Sequence, residues 1–67
     1  MDQPTLISLN EACRITSLSR TYVNSLREQG KFPQAVPMGF RRIAFVRSEV
    51  EQWIRDRIEA RARKGAS

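Results

Sequence analysis

Hydrophobic positions recur at helical spacing in three stretches of the chain, and a serine precedes each stretch. In the first, Leu9 and Ala12 lie three residues apart on one face of a helix. Ser8 comes just before them and Glu11 follows three residues later, which is the spacing of a capping box, in which a hydroxyl and a carboxylate satisfy two free amides. The pattern predicts a first helix over residues 9–15.

A second helix is predicted over residues 20–29, with Ser19 as its N-cap. Gly30 follows it, at the position where a glycine in the left-handed conformation commonly ends a helix. Val23 and Leu26 give this helix an inward face. Because only a short break separates the first two helices, they form a predicted helix-turn-helix.

Two strand-like pieces follow Pro33, a residue that cannot continue a helix. Residues 35–38 and 43–46 alternate apolar with polar or constrained positions, and residues 39–41 (GFR) between them suit a turn. The pattern predicts a two-stranded hairpin, called the wing below. A hairpin of this size is unstable alone, so we expect it to pack on the helices.

The most regular helical pattern lies over residues 49–62. Ser48 and Glu51 have capping-box spacing, and Glu51 could pair with Arg55 one turn later. The predicted inward face consists of Val50, Trp53, Ile54 and Ile58. Trp53 is predicted to anchor the core, because it shares its face with three aliphatic side chains.

These elements predict a mainly α fold: a small winged helix-turn-helix with three helices and a two-stranded β-hairpin wing between helices 2 and 3. A chain of 67 residues forms one domain, here residues 1–67. We expect order over residues 6–62 and fraying of the charged tail, residues 63–67.

Composition excludes several kinds of function. The chain has no histidine and one cysteine, so it has no internal disulfide, no tetrahedral zinc set and no catalytic Cys–His or Ser–His–Asp arrangement. We therefore expect no enzyme activity, no cofactor, no metal and no small-molecule substrate, and we expect Cys13 to be a small buried hydrophobe. No apolar run reaches the ~18 residues of a membrane span, and residues 1–4 (MDQP) do not resemble a signal peptide, so a cytoplasmic, nucleoid-associated protein is expected.

The positive charge is concentrated in the middle of the chain. Overall, 12 Lys and Arg face 7 Asp and Glu, a net charge of +5. From Arg14 to Arg47 there are seven bases and one acid, Glu28, and seven minus one gives +6. Such an excess is often only a solvated face, but on a helix-turn-helix and its wing it favours double-stranded DNA as the partner.

A helix-turn-helix holds the start of its second helix in the major groove, so this helix carries the candidate base contacts. Arg20 could bind guanine through two hydrogen bonds, and Asn24 could bind adenine in the same way. The hydroxyls suited to phosphates are those of Ser19, Thr21 and Ser25. Tyr22 either packs its ring on the first helix or extends its hydroxyl to a phosphate.

The wing supplies a second group of candidates. Arg41 and Arg42 lie at its turn, where they either contact phosphates or the minor groove or merely keep an exposed turn soluble. Phe40 either projects as a wedge or folds under the wing. Arg27 and Lys31 complete the set of predicted DNA-binding residues.

Four short motifs together resemble the AlpA family of prophage regulatory proteins. They are residues 18–21 (LSRT), 30–33 (GKFP), 38–41 (MGFR) and 48–54 (SEVEQWI). The likeness covers residues 6–60 and extends to the MerR-type winged helix and to phage excisionases. Many members carry an aromatic and a basic residue where this chain has Asn24 and Ser25, which implies that Arg20, Arg27 and the wing contribute more here.

The resemblance implies a sequence-specific DNA-binding regulator of a prophage or integrative element, acting as a transcriptional activator, for example of an integrase or excision gene. Two alternatives stay open. One is a recombination directionality factor (excisionase) that bends attachment-site DNA. The other is an interaction module that binds an integrase or another regulator, for which Phe40 and Tyr22 are the candidate apolar contacts. Several copies on adjacent sites are also expected, because one short helix and a wing bury little surface.

Overall fold

Three strands and three helices follow one another in residues 5–66, which the computed structural model describes, with side chains placed to residue 62. The strands are β1 Leu6–Ser8, β2 Val36–Gly39 and β3 Arg42–Val46, and the helices are α1 Leu9–Thr16, α2 Arg20–Glu28 and α3 Arg47–Ala66. The predicted fold is confirmed: three helices, with a β-hairpin between α2 and α3. Residues 1–4 and the side chains of residues 63–67, to which the expectations about a signal peptide and a frayed tail refer, lie outside the described part.

The hairpin belongs to a three-stranded antiparallel sheet in the order β1-β3-β2. The sequence predicted only β2 and β3. In β1, Ile7 pairs with Phe45 of β3, and the pairing continues as the amide of Arg47 donates to the carbonyl of Thr5 at 2.7 Å. A strand of three residues is too short to show an alternating pattern, so its partner, rather than its own sequence, makes it a strand.

The predicted cap of α1 is half confirmed. The Ser8 hydroxyl accepts a hydrogen bond from the amide of Glu11 at 3.0 Å. The second half of the box is wrong, because the Glu11 carboxylate accepts from the guanidinium of Arg14, with 2.9 Å between Nε and Oε1. Ser17, with φ 61°, then ends α1 in the left-handed conformation.

The end of α2 is a complete Schellman motif. Gly30 has φ +71°, as predicted for a glycine after the helix end. The amide of Gly30 donates to the carbonyl of Arg27 at 3.0 Å, and the amide of Lys31 donates to that of Leu26 at 2.8 Å. These bonds turn the chain sharply from α2 towards the wing.

The third helix is longer than predicted at both ends. It follows β3 directly at Arg47, so Ser48 lies inside the first turn and is not its N-cap. Glu51 accepts from Nε of Arg47 at 3.1 Å rather than pairing with Arg55. The helix continues to Ala66, past the predicted end near residue 62. None of the helices in the described residues combines the length and apolar character that crossing a bilayer requires.

The core lies between α1, α2, α3 and the sheet. Phe45, Val23 and Val50 are its largest fully buried side chains, and Cys13 is buried as predicted. Phe32, which sequence reasoning did not select, packs edge-on against Phe45 with 5.5 Å between ring centroids. The other buried members are Ile7, Ala12 and Leu26.

Trp53 packs on this core as a partly buried side chain, its ring centroid 5.0 Å from that of Phe32. The predicted inward position of Ile58 is wrong, because its side chain is 51% exposed. α3 therefore extends beyond the core that its first half covers.

Candidate nucleic-acid interface

The second helix and the wing face one another across an open groove of about 890 Å³. Its polar lining consists mainly of Arg20, Asn24 and Arg27 from α2 and of Arg41 and Arg42 from the wing. We call this concavity the basic groove. Five of the predicted DNA-binding residues, from segments separated along the chain, thus share one surface.

Arg27 connects this surface to the core. Its guanidinium carbon lies 5.7 Å from the ring centroid of Phe45, in a cation–π arrangement. Nη1 of the same group donates to Oδ1 of Asn24 at 2.9 Å. The buried ring therefore supports the arginine, and the arginine in turn orients the amide of Asn24.

Arg20 opens α2 at the edge of the basic groove. The residue before it, Ser19, is the N-cap, and its hydroxyl oxygen accepts from the amide of Tyr22 at 3.1 Å. The Ser19 hydroxyl can still donate its own proton. The start of α2 thus combines an exposed guanidinium, a hydroxyl donor and free helix amides, a combination that suits anionic oxygens.

The turn of the wing consists of Phe40 and Arg41, between the paired residues Gly39 and Arg42. Gly39 has φ +116° and Arg41 has φ 59°, so two residues with positive φ, one on each side of Phe40, close the hairpin. Phe40 is 93% exposed, which settles the open question of its packing: it does not fold under the wing.

The other predicted residues lie outside the lining of the basic groove. Thr21 is exposed on α2, and Lys31 is exposed beyond its end. Ser25 is half-buried and its hydroxyl accepts from Nε2 of Gln29 at 3.1 Å. None of these three side chains lines the groove.

Tyr22 lies on a different surface. Its side chain is 47% exposed and, together with Trp53 and Ile58, lines a shallow apolar groove between α3 and the helix-turn-helix. We call this second concavity the apolar groove. Sequence reasoning did not find it, since it placed Ile58 in the core.

Seven lining residues of the basic groove are outside the predicted DNA-binding set, and two of them show why. Asn10, near the start of α1, and Met38, in β2, both line it. Asn10 comes close to the wing because β1, just before α1, pairs with β3. Met38 occupies the register shift between Pro37 and Gly39, an irregularity of the kind that redirects side chains. Neither arrangement follows from spacing along the chain.

Two ion pairs reduce the number of basic side chains that are free to bind an anionic partner. The guanidinium of Arg14 hydrogen-bonds Glu11 and thereby lowers the pKa of that carboxyl below its usual value of 4.5, while Arg47 pairs with Glu51. Without these two arginines, the central seven bases and one acid become five and one, which is +4. The five bases that remain are Arg20, Arg27, Lys31, Arg41 and Arg42.

Comparison with known proteins gives two matches. Residues 5–58 match the family described as prophage CP4-57 regulatory protein (AlpA). The chain is also 33% identical over 61 residues to the uncharacterized protein ORF88 of Enterobacteria phage P4, an alignment that covers 91% of this chain and 69% of that protein. No solved structure matches the chain.

Proposed function

The chain belongs to the AlpA family of prophage regulatory proteins, a DNA-binding and non-enzymatic family, and from this premise we propose that it regulates transcription by binding specific duplex sites through the basic groove. In this proposal α2 lies in the major groove and the wing lies on the neighbouring backbone or minor groove. α1 braces the recognition helix from behind.

The observation that carries the proposal is the shared lining of the basic groove by α2 and the wing. A duplex presents a groove edge and a phosphate backbone side by side, so it can meet both elements at once. Residues 29–48, which include the whole wing, contain no acidic residue, so the wing side of the groove has no charge that would repel phosphates. Four of the five bases that remain free of ion pairs line the groove: Arg20, Arg27, Arg41 and Arg42.

Base recognition is assigned to α2. Arg20 has the fork of donors that matches the two acceptors of guanine, and it stands at the exposed start of the helix. Asn24 presents an amide that suits adenine, and its contact with Arg27 limits the orientations that the amide can adopt.

Phosphate contacts are assigned to the wing and to the margins of the groove. Arg41 and Arg42 supply charge from the wing tip. Around α2 the proposed phosphate donors are Ser19, Thr21, Ser25 and Lys31, whereas Tyr22, which lines the apolar groove, is assigned to protein contacts. Such contacts fix the register of the protein on the duplex and read no sequence by themselves.

A second candidate function is that of a recombination directionality factor, which bends attachment-site DNA. The almost fully exposed ring of Phe40 favours it, since an apolar side chain at a wing tip can distort a duplex. The proposed partners beyond DNA are an integrase or further copies of this chain on adjacent sites. The apolar groove of Tyr22, Trp53 and Ile58 is the surface available for such contacts.

The test is a binding titration at several salt concentrations, on duplexes enriched by the protein from a randomised library. With four to five phosphates neutralised, we expect the logarithm of the association constant to fall with that of salt concentration with a slope of about −4. Arg42→Gln should flatten the slope, whereas Arg55→Gln, on the exposed side of α3, should leave it unchanged. Salt-independent binding, or no enrichment of any duplex, would refute the proposal.

A further inference from the structure

The side chain at the wing tip is the most exposed large hydrophobic group that the structure describes. Phe40 is 93% exposed, against 50% for Met38 in the same wing. It belongs neither to the buried core nor to the partly buried side chains packed against it. The fold therefore gains nothing from an aromatic ring at this position.

The backbone of the turn holds Phe40 outermost. The last paired residues of the hairpin are Gly39 and Arg42, so Phe40 and Arg41 alone form the tip. Arg41 adopts a left-handed conformation, φ 59°, that is unfavourable for a residue with a side chain. The ladder of β2 and β3 supports this strained turn, which limits how far the ring can swing back onto the wing.

The surroundings of the ring identify its partner. Arg41 and Arg42 follow it directly, and the nearest acids along the chain are Glu28 and Glu49. An apolar side chain next to two consecutive arginines fits an apolar slot bordered by negative charge. A base step in a duplex is such a slot, since stacked bases lie between two phosphate backbones. An apolar pocket on a protein would need an acidic rim to match.

We infer that Phe40 is an apolar wedge that enters the minor groove beside the segment read by α2, partly unstacks one base step and kinks the duplex. This inference rests on the proposed DNA binding through the basic groove. Phenylalanine is among the side chains that unstack bases from the minor groove. Pyrimidine–purine steps, above all TA, unstack most easily, so the wedge would favour sites with such a step under the wing.

The position of the wing allows this placement. Phe40 directly precedes Arg41, which lines the basic groove together with Arg20. The minor groove beside an occupied stretch of major groove is centred about half a helical turn away, or about 17 Å along the axis. Because Arg42 and Arg20 line one groove, both elements can contact the same duplex.

The experiment uses the full chain and a duplex that the wild-type protein has enriched from a randomised library. Permanganate reactivity reports unstacked thymines, and energy transfer between dyes at the two duplex ends reports bending. The variants are Phe40→Ala, which removes the wedge, and Phe40→Leu, which retains an apolar one. Ile58→Ala is the matched control, because it removes a half-exposed apolar side chain from α3, outside the lining of the basic groove.

We expect the wild type, Phe40→Leu and Ile58→Ala to bend the duplex and to expose a thymine at one step. Phe40→Ala should lose most of the bend and the thymine reactivity while it keeps salt-dependent binding. Its thermal unfolding should match that of the wild type, since the ring lies outside the core.

A Phe40→Ala protein that distorts DNA as the wild type does would overturn the wedge and would direct the ring to a protein pocket instead. Wild-type binding without any bend or unstacked base would overturn it as well. In both cases the proposed regulation through the basic groove stands. If the wild type enriches no duplex, the proposed function and the wedge fall together.

Discussion

The indole Nε1 of Trp53 donates a hydrogen bond to the backbone carbonyl of Lys31 at 2.8 Å. This bond joins the first half of α3 to the residue that follows the Schellman turn of α2. The same indole packs against Phe32, the next residue along the chain. α3 thus supports α2, the proposed recognition helix, at the end away from the proposed base contacts.

Replacing Trp53 with phenylalanine removes the hydrogen bond together with one ring of the indole, over which the guanidinium of Arg57 lies. The smaller ring can still pack on Phe32, but it has no N–H for the Lys31 carbonyl. We expect the free energy of unfolding to fall by about 1 kcal/mol, measured by urea unfolding followed by circular dichroism. Arg55→Gln on the exposed side of α3 should change it by less than about 0.5 kcal/mol. Equal stability of the two variants would show that the bond contributes nothing.

Trp53 also shows which contacts the sequence alone could predict and which it could not. Its place on the core could be predicted from its spacing with Val50, because both residues lie in one helix. Its bond to Lys31 could not be predicted, because it joins residues 22 positions apart. For the same reason β1 and the groove position of Asn10 were missed: both depend on strand pairing across most of the chain.

The limits of periodicity appear in Ile58. Its spacing from Ile54 is that of one helix face, yet its side chain is half exposed. Helical spacing shows which residues share a face, but not how far along the helix a partner covers that face. The caps of α1 and α2 were predictable because a hydroxyl needs only the amide three residues later.

Arg20→Ala should change sequence preference. If Arg20 binds a guanine through two hydrogen bonds, its removal costs about 1–3 kcal/mol on the enriched site and much less on unrelated duplexes. Competition binding against single-base variants of the site measures this difference. An equal loss on all sequences would place Arg20 on a phosphate instead.

Arg42→Ala should weaken binding to all duplexes alike. Loss of one phosphate contact should reduce the magnitude of the salt slope by about 0.9, with the order of preferred sequences unchanged. The measurement is a salt titration on the enriched site and on an unrelated duplex. A loss confined to one base position would show that the wing reads sequence directly at Arg42.

Arg41→Gly separates fold stability from DNA binding. Glycine removes the cost of the left-handed conformation, which stabilises the folded state by about 1–2 kcal/mol. The greater freedom of glycine in the unfolded chain cancels about 0.5–1 kcal/mol of that stabilisation. We expect a net stabilisation of about 0.5–1 kcal/mol together with weaker, less salt-dependent binding.

The matched control for that change is Arg42→Gly. Arg42 lies in β3 and has no left-handed backbone to relieve, so glycine there should destabilise the fold by about 0.5–1 kcal/mol. Both variants remove one charge from the same groove. The unfolding temperature should therefore rise for Arg41→Gly and fall for Arg42→Gly, while DNA affinity falls for both. A shift of the same sign in both variants would contradict the assigned turn.

Acid should weaken the Glu11–Arg14 pair. Because the hydrogen bond from Arg14 lowers the pKa of Glu11 in the folded state, its contribution is complete above the unfolded pKa and is lost as pH falls through the lowered folded value. The advantage in melting temperature of the wild type over Glu11→Gln should therefore be constant near neutrality and vanish in strong acid. A difference that persists unchanged at low pH would exclude this pair as its source.

The place of β1 in the sheet has a consequence for synthesis of the protein. β1 leaves the ribosome before the other described elements, but its partner β3 is made only after both helices of the helix-turn-helix. Val23 of α2 is buried in the cluster that contains Phe45 of β3 and Val50 of α3, and both of these residues are synthesised after α2. Contacts between such distant positions form against the entropy of loop closure. We therefore expect that residues 9–28 alone are not a folding unit, and that a nascent chain folds α2, the proposed DNA-reading helix, only when the start of α3 has emerged.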